Sequence, residues 1–287
     1  MFNIDGIIRK REPVTLGSAG FAAVKQLYSK EIIETTTVEK ITYLSDGLNI
    51  NGYIARPKEK GVYPVLIWNR GGCEEKGALD DLRAYLILAS TASWGYVVLA
   101  TQYRGNMGSE GVEDWGGDDL NDALNMIEAA ENLPECDTGR IAVEGASRGG
   151  MTTYRALLRY DQFKCAIVHA GITDVPALIK ARPGFERFIS DRYSHLSEEQ
   201  KAAELKAISA VHFADRLPKN IPILIMHGTD DTVVPVEQSE ALAVELRRHN
   251  LPHRLILLEG GTHVAFKDGT YREIDRHRRA WLGQYLI

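Results

Sequence analysis

The stretch Ile141-Ala-Val-Glu-Gly-Ala-Ser147-Arg-Gly-Gly150 constrains this chain more than any other. The apolar run Ile141 to Val143 predicts a buried strand, and Met151 to Tyr160 predicts a helix. Between them, Gly145-x-Ser147-x-Gly149 forces a sharp turn. Side chains at Gly145 or Gly149 would crowd the neighbouring strand and helix, so glycine is required. The turn lifts the Ser147 hydroxyl clear of the sheet. The helix N-terminus beneath it favours negative charge that develops there. A serine so placed is a candidate nucleophile.

The rest of the chain reads as scaffolding for that turn. Residues 16–29 have helical spacing, so residues 1–37 are expected to form an N-terminal helical extension packed on the body. Thr36 to Leu44 and Leu48 to Ala55 predict strands joined at Ser45-Asp46-Gly47, a hairpin signal. Pro64 to Trp68 is a short apolar strand. A helix follows from Leu79 to Thr91, and a strand from Tyr96 to Thr101. A helix over 118–131 leads into the elbow strand. After the elbow helix come strands at 165–169, 221–226 and 253–258, with helices at 235–249 and 271–286. Short apolar strands alternating with amphipathic helices imply an α/β fold with a mostly parallel sheet of about eight strands, helices on both faces. The uncharged run from Ala84 to Tyr103 has the length of a membrane span. Ser90, Thr91, Ser93 and Gly95 interrupt it, so it reads as a helix end, a turn at Trp94-Gly95 and a buried strand.

One segment breaks the alternation. Residues 171–215 are polar and helical, carry Phe185, Phe188 and Tyr193, and follow a strand that ends at the carboxyl edge, where open α/β sheets bind ligands. They are expected to form a small helical cap, with those three aromatics as candidate substrate contacts.

Charge and cysteine usage exclude several classes. The net charge is −5 and no Lys/Arg cluster is present, so nucleic acid and anionic membranes are not expected partners. The three cysteines, Cys73, Cys136 and Cys165, are widely spaced and lack a C-x-x-C pattern. Neither a disulfide framework nor a zinc site is indicated, and reduced thiols in a cytoplasmic protein are the simplest reading. The opening residues lack the basic-then-apolar order of a signal peptide. Asp114, Asp118, Asp119 and Asp122 surround a helix start and complement its dipole more simply than they hold a metal. The apolar face of the last helix suits either core or a homo-oligomer interface.

A serine nucleophile needs a base, and the base needs an orienting acid. His263 is the histidine that lies on a Gly-rich loop after a late strand. The acid lies in His227-Gly-Thr-Asp-Asp231-Thr-Val-Val-Pro235, where Asp230 and Asp231 compete. Both loops leave the carboxyl ends of strands, as the elbow does. His227 is expected to make a structural hydrogen bond, and His169 ends the strand after the elbow.

Three segments together resemble the catalytic domain of the prolyl oligopeptidase family, serine peptidase family S9, on the α/β-hydrolase fold. They are Tyr103-Arg-Gly-Asn-Met-Gly108, Gly145-Ala-Ser-Arg-Gly-Gly150, and His227-Gly-x-x-Asp231-x-x-Val234-Pro235 followed by His263. The resemblance runs from about Val38 to the C-terminus. It implies Ser147 as nucleophile, His263 as base and Asp231, rather than Asp230, as acid. Backbone N–H groups of Arg148 and of the loop Gly71, Gly72, Cys73 are the expected oxyanion donors. Arg70 stands where such loops have Tyr or His. Large members of the family place a β-propeller before this domain, and the stretch before Val38 is too short for one. The resemblance implies acyl transfer through an acyl-enzyme without metal or organic cofactor. A peptidase on short peptides competes with a carboxylesterase on small acyl esters, and a non-catalytic binding module is the remote alternative. Arg70 and Tyr103 join the candidate substrate contacts. Arg148 or Arg70 is a candidate reader of an anionic substrate group, against a structural ion pair with Glu144 or the Asp118-Asp119 pair.

Overall fold

A computed structural model describes residues 6–286. The first five residues of the expected 1–37 extension, read for a leader, lie outside the described residues, as does Ile287. Nine strands form one mostly parallel sheet: β1 (Ile8–Pro13), β2 (Thr36–Ser45), β3 (Leu48–Pro57), β4 (Tyr63–Asn69), β5 (Val97–Thr101), β6 (Cys136–Ala146), β7 (Ala166–His169), β8 (Ile223–Gly228) and β9 (His253–Leu258). Their hydrogen-bonded order is β1-β2-β3-β5-β4-β6-β7-β8-β9. The chain divides into two compact units. One holds the residues up to Val143 together with those from Leu282, and the other is Glu144–Trp281.

In the first unit β2 and β3 pair antiparallel, with Ser45 opposite Leu48. Asp46 and Gly47 between them both have positive φ, 50° and 82°. That is the backbone of a two-residue hairpin turn whose twist matches the strands, and Asp-Gly is a favoured pair for it. β2 largely alternates buried and half-buried residues. β4 and β5 are almost wholly buried and pair parallel, as unbroken apolar runs should.

The expected extension over 1–37 needs correcting. The helix is there, at Ser18–Leu27, but Ile8–Pro13 is a strand, paired antiparallel with β2. This ninth strand escapes a pattern search because only Ile8 of its six residues is buried. It is an edge strand, and edges are commonly charged and ended by proline to discourage further pairing. Arg11 reaches Glu39 of β2 at 2.6 Å.

The run from Ala84 to Tyr103 is a helix ending at Ala92, a turn with Gly95 at φ 94°, and then β5. The middle of that helix, Ala84–Ala89, is π-helical. Among the described residues no helix is long and apolar enough to cross a membrane.

In the second unit β7, β8 and β9 pair parallel, with Val168 opposite Ile225 and Gly228 opposite Leu258. Between β7 and β8 the chain makes three helices, Val175–Ala181, Pro183–Arg192 and Glu198–Ala207. Asp174 caps the first, accepting the Ala177 N–H at 3.0 Å, and Ser197 caps the third in a reciprocal box with Gln200. The root of this excursion is fixed. The Gln238 Oε1 accepts the N–H groups of Thr173 and Asp174 at 2.9 and 2.8 Å, and its Nε2 donates to the Asp174 carbonyl at 2.9 Å. The Val175 N–H donates to the Ser209 hydroxyl at 2.9 Å, tying the two ends of the excursion together.

Candidate active site

Ser147 sits between β6 and the helix Arg148–Leu157 with φ 57° and ψ −122°. A non-glycine residue in that region costs about 1–3 kcal/mol, which the surrounding bonds must hold. Its N–H donates to the His169 carbonyl at 3.0 Å, and its carbonyl accepts from Gly150 at 2.9 Å and Ile172 at 3.2 Å. The requirement for Gly145 is steric. A Cβ there would lie 2.1 Å from the Gly149 carbonyl oxygen. The helix starts at Arg148, three residues earlier than the sequence pattern suggests, so its N-terminal N–H groups lie directly behind the serine.

The base and acid loops leave β9 and β8 side by side. The Asp230 N–H donates to the Gly261 carbonyl at 2.9 Å, and a Cβ on Gly228 would lie 2.1 Å from the same oxygen. Only glycine allows the two loops to come this close. Across this junction His263 Nδ1 lies 2.7 Å from Asp231 Oδ2. The other carboxylate oxygen, Oδ1, accepts the N–H groups of Val233 and Val234 at 2.8 and 2.9 Å. Burial works to raise the Asp231 pKa, but hydrogen bonds from His227, His263 and the Val234 N–H outweigh it and hold the carboxyl far below its ordinary 3.8. An ionised carboxylate only accepts, so Nδ1 of His263 carries the proton and Nε2 keeps its lone pair.

Two more histidines approach the same acid. His227 is fully buried, with Nδ1 2.6 Å from the Ser239 hydroxyl and Nε2 2.8 Å from the Val234 carbonyl and 3.4 Å from Asp231 Oδ2. With acceptors facing Nε2, that nitrogen donates and Nδ1 accepts the Ser239 proton. This is the structural hydrogen bonding expected of His227. His169 is driven down to about 3 by burial, with the nearby His227 and His263 adding to the effect. Its Nε2 is buried and has no partner among the described residues.

Asp268, which the sequence reading did not single out, fixes the base loop from its far side. It accepts the N–H and hydroxyl of Thr262, the residue before His263, both at 2.6 Å, and the N–H and hydroxyl of Thr270 at 2.9 and 2.6 Å. Burial works to raise its pKa, but these four bonds together prevail and bring it to about 2. Two threonines flanking an aspartate on a loop were the available signal.

Glu144, three residues before Ser147, forms a buried bidentate pair with Arg278 at 2.7 and 2.9 Å. Arg278 also donates to Asp275 at 2.7 Å. Arg278 is therefore a partner of Glu144 that the sequence did not point to. Arg148 itself is buried.

In the first unit the structure corrects two candidate substrate contacts. Arg70 and Tyr103 are both 0% exposed. Arg70 donates to the carbonyls of Gln102 at 3.0 and 2.9 Å, Glu74 at 2.9 Å and Gly71 at 3.1 Å, and its guanidinium lies over the Tyr103 ring at 5.2 Å. Tyr103 donates its hydroxyl to the Arg70 carbonyl at 3.3 Å. These residues organise the loops after β4 and β5 instead of facing a ligand. Gly71, Gly72 and Cys73 open a tight turn in which Lys76 N–H donates to the Cys73 carbonyl at 3.0 Å and Gly72 has φ 76°. Asp114 accepts the N–H groups of Gly117, Asp118 and Asp119 at the helix start, while Asp122 pairs with Arg104 at 2.8 Å. In the excursion, Phe185 and Phe188 stack at 5.6 Å between ring centroids, with Arg182 over the first ring and Arg192 over the second. Tyr193 follows as the cap of that helix, half-buried.

The architecture is that of an α/β-hydrolase domain. A puromycin-hydrolysing peptidase of Mycobacterium tuberculosis superposes with a TM-score of 0.70 at 23% identity, covering 88% of this chain and 46% of that one. The acylaminoacyl peptidase of Pyrococcus horikoshii gives 0.71 at 22%, covering 90% and 42%. The chain belongs to the prolyl oligopeptidase family, whose model matches residues 83–287. It is a hydrolase. It is similar to the uncharacterised peptidase YtmA of Bacillus subtilis, at 29% identity over 84% of this chain and 91% of YtmA. It is also similar to YuxL of the same organism, at 26% over 86% of this chain but 39% of YuxL. It spans less than half of YuxL and of the two superposed chains.

Proposed function

We propose that the chain hydrolyses an ester or amide bond of a small molecule or short peptide, with Ser147 as nucleophile, His263 as general base and Asp231 as orienting acid. The observation that carries this is the 2.7 Å bond from His263 Nδ1 to an ionised, doubly N–H-bonded Asp231. It leaves Nε2 as the proton acceptor for a serine held in strained geometry on the same unit.

His263 Nε2 takes the Ser147 hydroxyl proton as Oγ bonds to the substrate carbonyl carbon. The resulting imidazolium is stabilised by Asp231. The oxyanion is met by the Arg148 N–H at the start of the helix. Collapse breaks the bond to the leaving group, which takes the proton from His263. Water then attacks the acyl-enzyme and gives a proton to His263; collapse breaks the bond between the acyl carbon and Oγ, His263 returns the proton to Ser147, and the carboxylic acid leaves. These steps use only the chain's own residues and water.

Family membership favours a peptidase, since the relatives are named as peptidases, and the three free thiols suit a cytoplasmic setting. Rates on short-chain p-nitrophenyl esters and on aminoacyl and prolyl p-nitroanilides, for wild type and Ser147→Ala, test the reading. Anilide turnover lost in Ser147→Ala supports the peptidase. Ester turnover alone, lost in the same variant, means a carboxylesterase. Turnover that survives Ser147→Ala overturns the nucleophile assignment, and no reaction of Ser147 with a fluorophosphonate in a chain without turnover favours a binding module.

A further inference from the structure

The 233–234 peptide is gripped at both ends. Its N–H, that of Val234, donates to Asp231 Oδ1 at 2.9 Å. Its carbonyl, that of Val233, accepts from Arg182 Nη1 at 2.8 Å. A peptide unit is planar and rigid, so fixing the oxygen end fixes the direction of the N–H end. Arg182 does not belong to the acid loop. It lies in the excursion between β7 and β8, at the junction of the helices Val175–Ala181 and Pro183–Arg192, with its guanidinium over the Phe185 ring at 5.9 Å. A charged donor also polarises the peptide it binds, which strengthens the N–H bond at the far end.

We propose that Arg182 is a positioning residue for the acid, through which the helical excursion holds Asp231 in the orientation His263 needs. The inference rests on the triad reading above. It assigns the excursion a part in catalysis that does not depend on touching substrate. The Val233 N–H donates to the same Asp231 oxygen at 2.8 Å, and His227 of β8 holds the Val234 carbonyl at 2.8 Å. Arg182 adds a hold on this loop from the excursion. The planar guanidinium, restrained over a ring, gives direction that a flexible ammonium gives less well.

The test compares Arg182→Met, Arg182→Gln and Arg182→Lys with wild type. Its readouts are kcat and KM on whichever chromogenic substrate the wild type turns over, the rate of fluorophosphonate labelling at Ser147, and the far-downfield proton NMR signal of the His263–Asp231 hydrogen bond. The expected result for Arg182→Met is a kcat about tenfold lower with KM within about twofold, a parallel fall in labelling rate, and a weakened or shifted downfield proton. Arg182→Lys restores at least half of the lost kcat. If Arg182→Met does not fold, Arg182→Gln carries the same expectations. Wild-type kcat and downfield proton in a folded Met or Gln variant overturn the proposal, as does a loss confined to KM. Failure of the wild type itself to label would overturn the nucleophile assignment, and the proposal with it. A labelled wild type beside an unaltered variant overturns the proposal alone.

Discussion

Glu144 and Asp231 are both buried carboxylates of the second unit, and their environments drive them in opposite directions. Glu144 is held by Arg278 in a bidentate pair, and burial raises its pKa despite that charge. Asp231 is held differently. It accepts two backbone N–H groups and faces two imidazoles, and these outweigh burial. Hydrogen bonds from rigid loops, together with the His263 imidazole, keep Asp231 low, whereas the more deeply buried Glu144, with Asp275 also near, stays raised beside its arginine. The ion pair ties the last helix to the elbow strand. The cradle keeps a carboxylate ionised beside the His263 ring.

The largest effect that would sharpen this contrast is on activity. Asp231→Asn should cost kcat/KM about 10⁴-fold, because an amide in that place lets His263 adopt the wrong tautomer. Steady-state kinetics check it, and a loss below tenfold would break the contrast. Next, Arg278→Met should destabilise the fold by about 3–5 kcal/mol in urea titration by leaving Glu144 buried without its partner. Replacing both with apolar residues of similar volume should recover most of that. A third effect concerns pH. Asp231's pKa is lowered on folding, so its stabilisation is full above its ordinary 3.8 and drains away as pH falls toward its folded value. The urea-midpoint advantage of wild type over Asp231→Asn should therefore shrink below about pH 4. Glu144, raised on folding, has the reverse sign: its contribution is lost as pH rises through its folded value. Asp268→Ala should lower kcat about tenfold by freeing the base loop, with KM little changed. Smallest of all, Ser239→Ala should cost about 1 kcal/mol of stability and less than a threefold change in kcat.

The positions of Asp231, His263 and Ser147 were legible in the sequence, and the ion pair was not. Each of the three sits on a short loop after an apolar strand, so pattern and glycine placement point to them. Glu144 and Arg278 lie far apart in sequence, and no local rule joins them. Arg70 misled for a related reason. An arginine beside two glycines looks exposed, yet here the loop folds around it and its donors meet carbonyls that local patterns cannot show. β1 was missed because an edge strand carries little apolar signal. Asp268 was missed because its role is spread over hydrogen bonds to its own loop, which leave no periodicity.

β9 is the last strand in the order, paired with β8 alone, and His263 hangs from its end. Strands at a margin open more readily than those flanked on both sides. Warming or mild denaturant should then silence the enzyme while most of the molecule is still folded, and amide exchange along 253–258 should track that silence. Turnover becomes a gauge of how tightly the sheet's margin is closed.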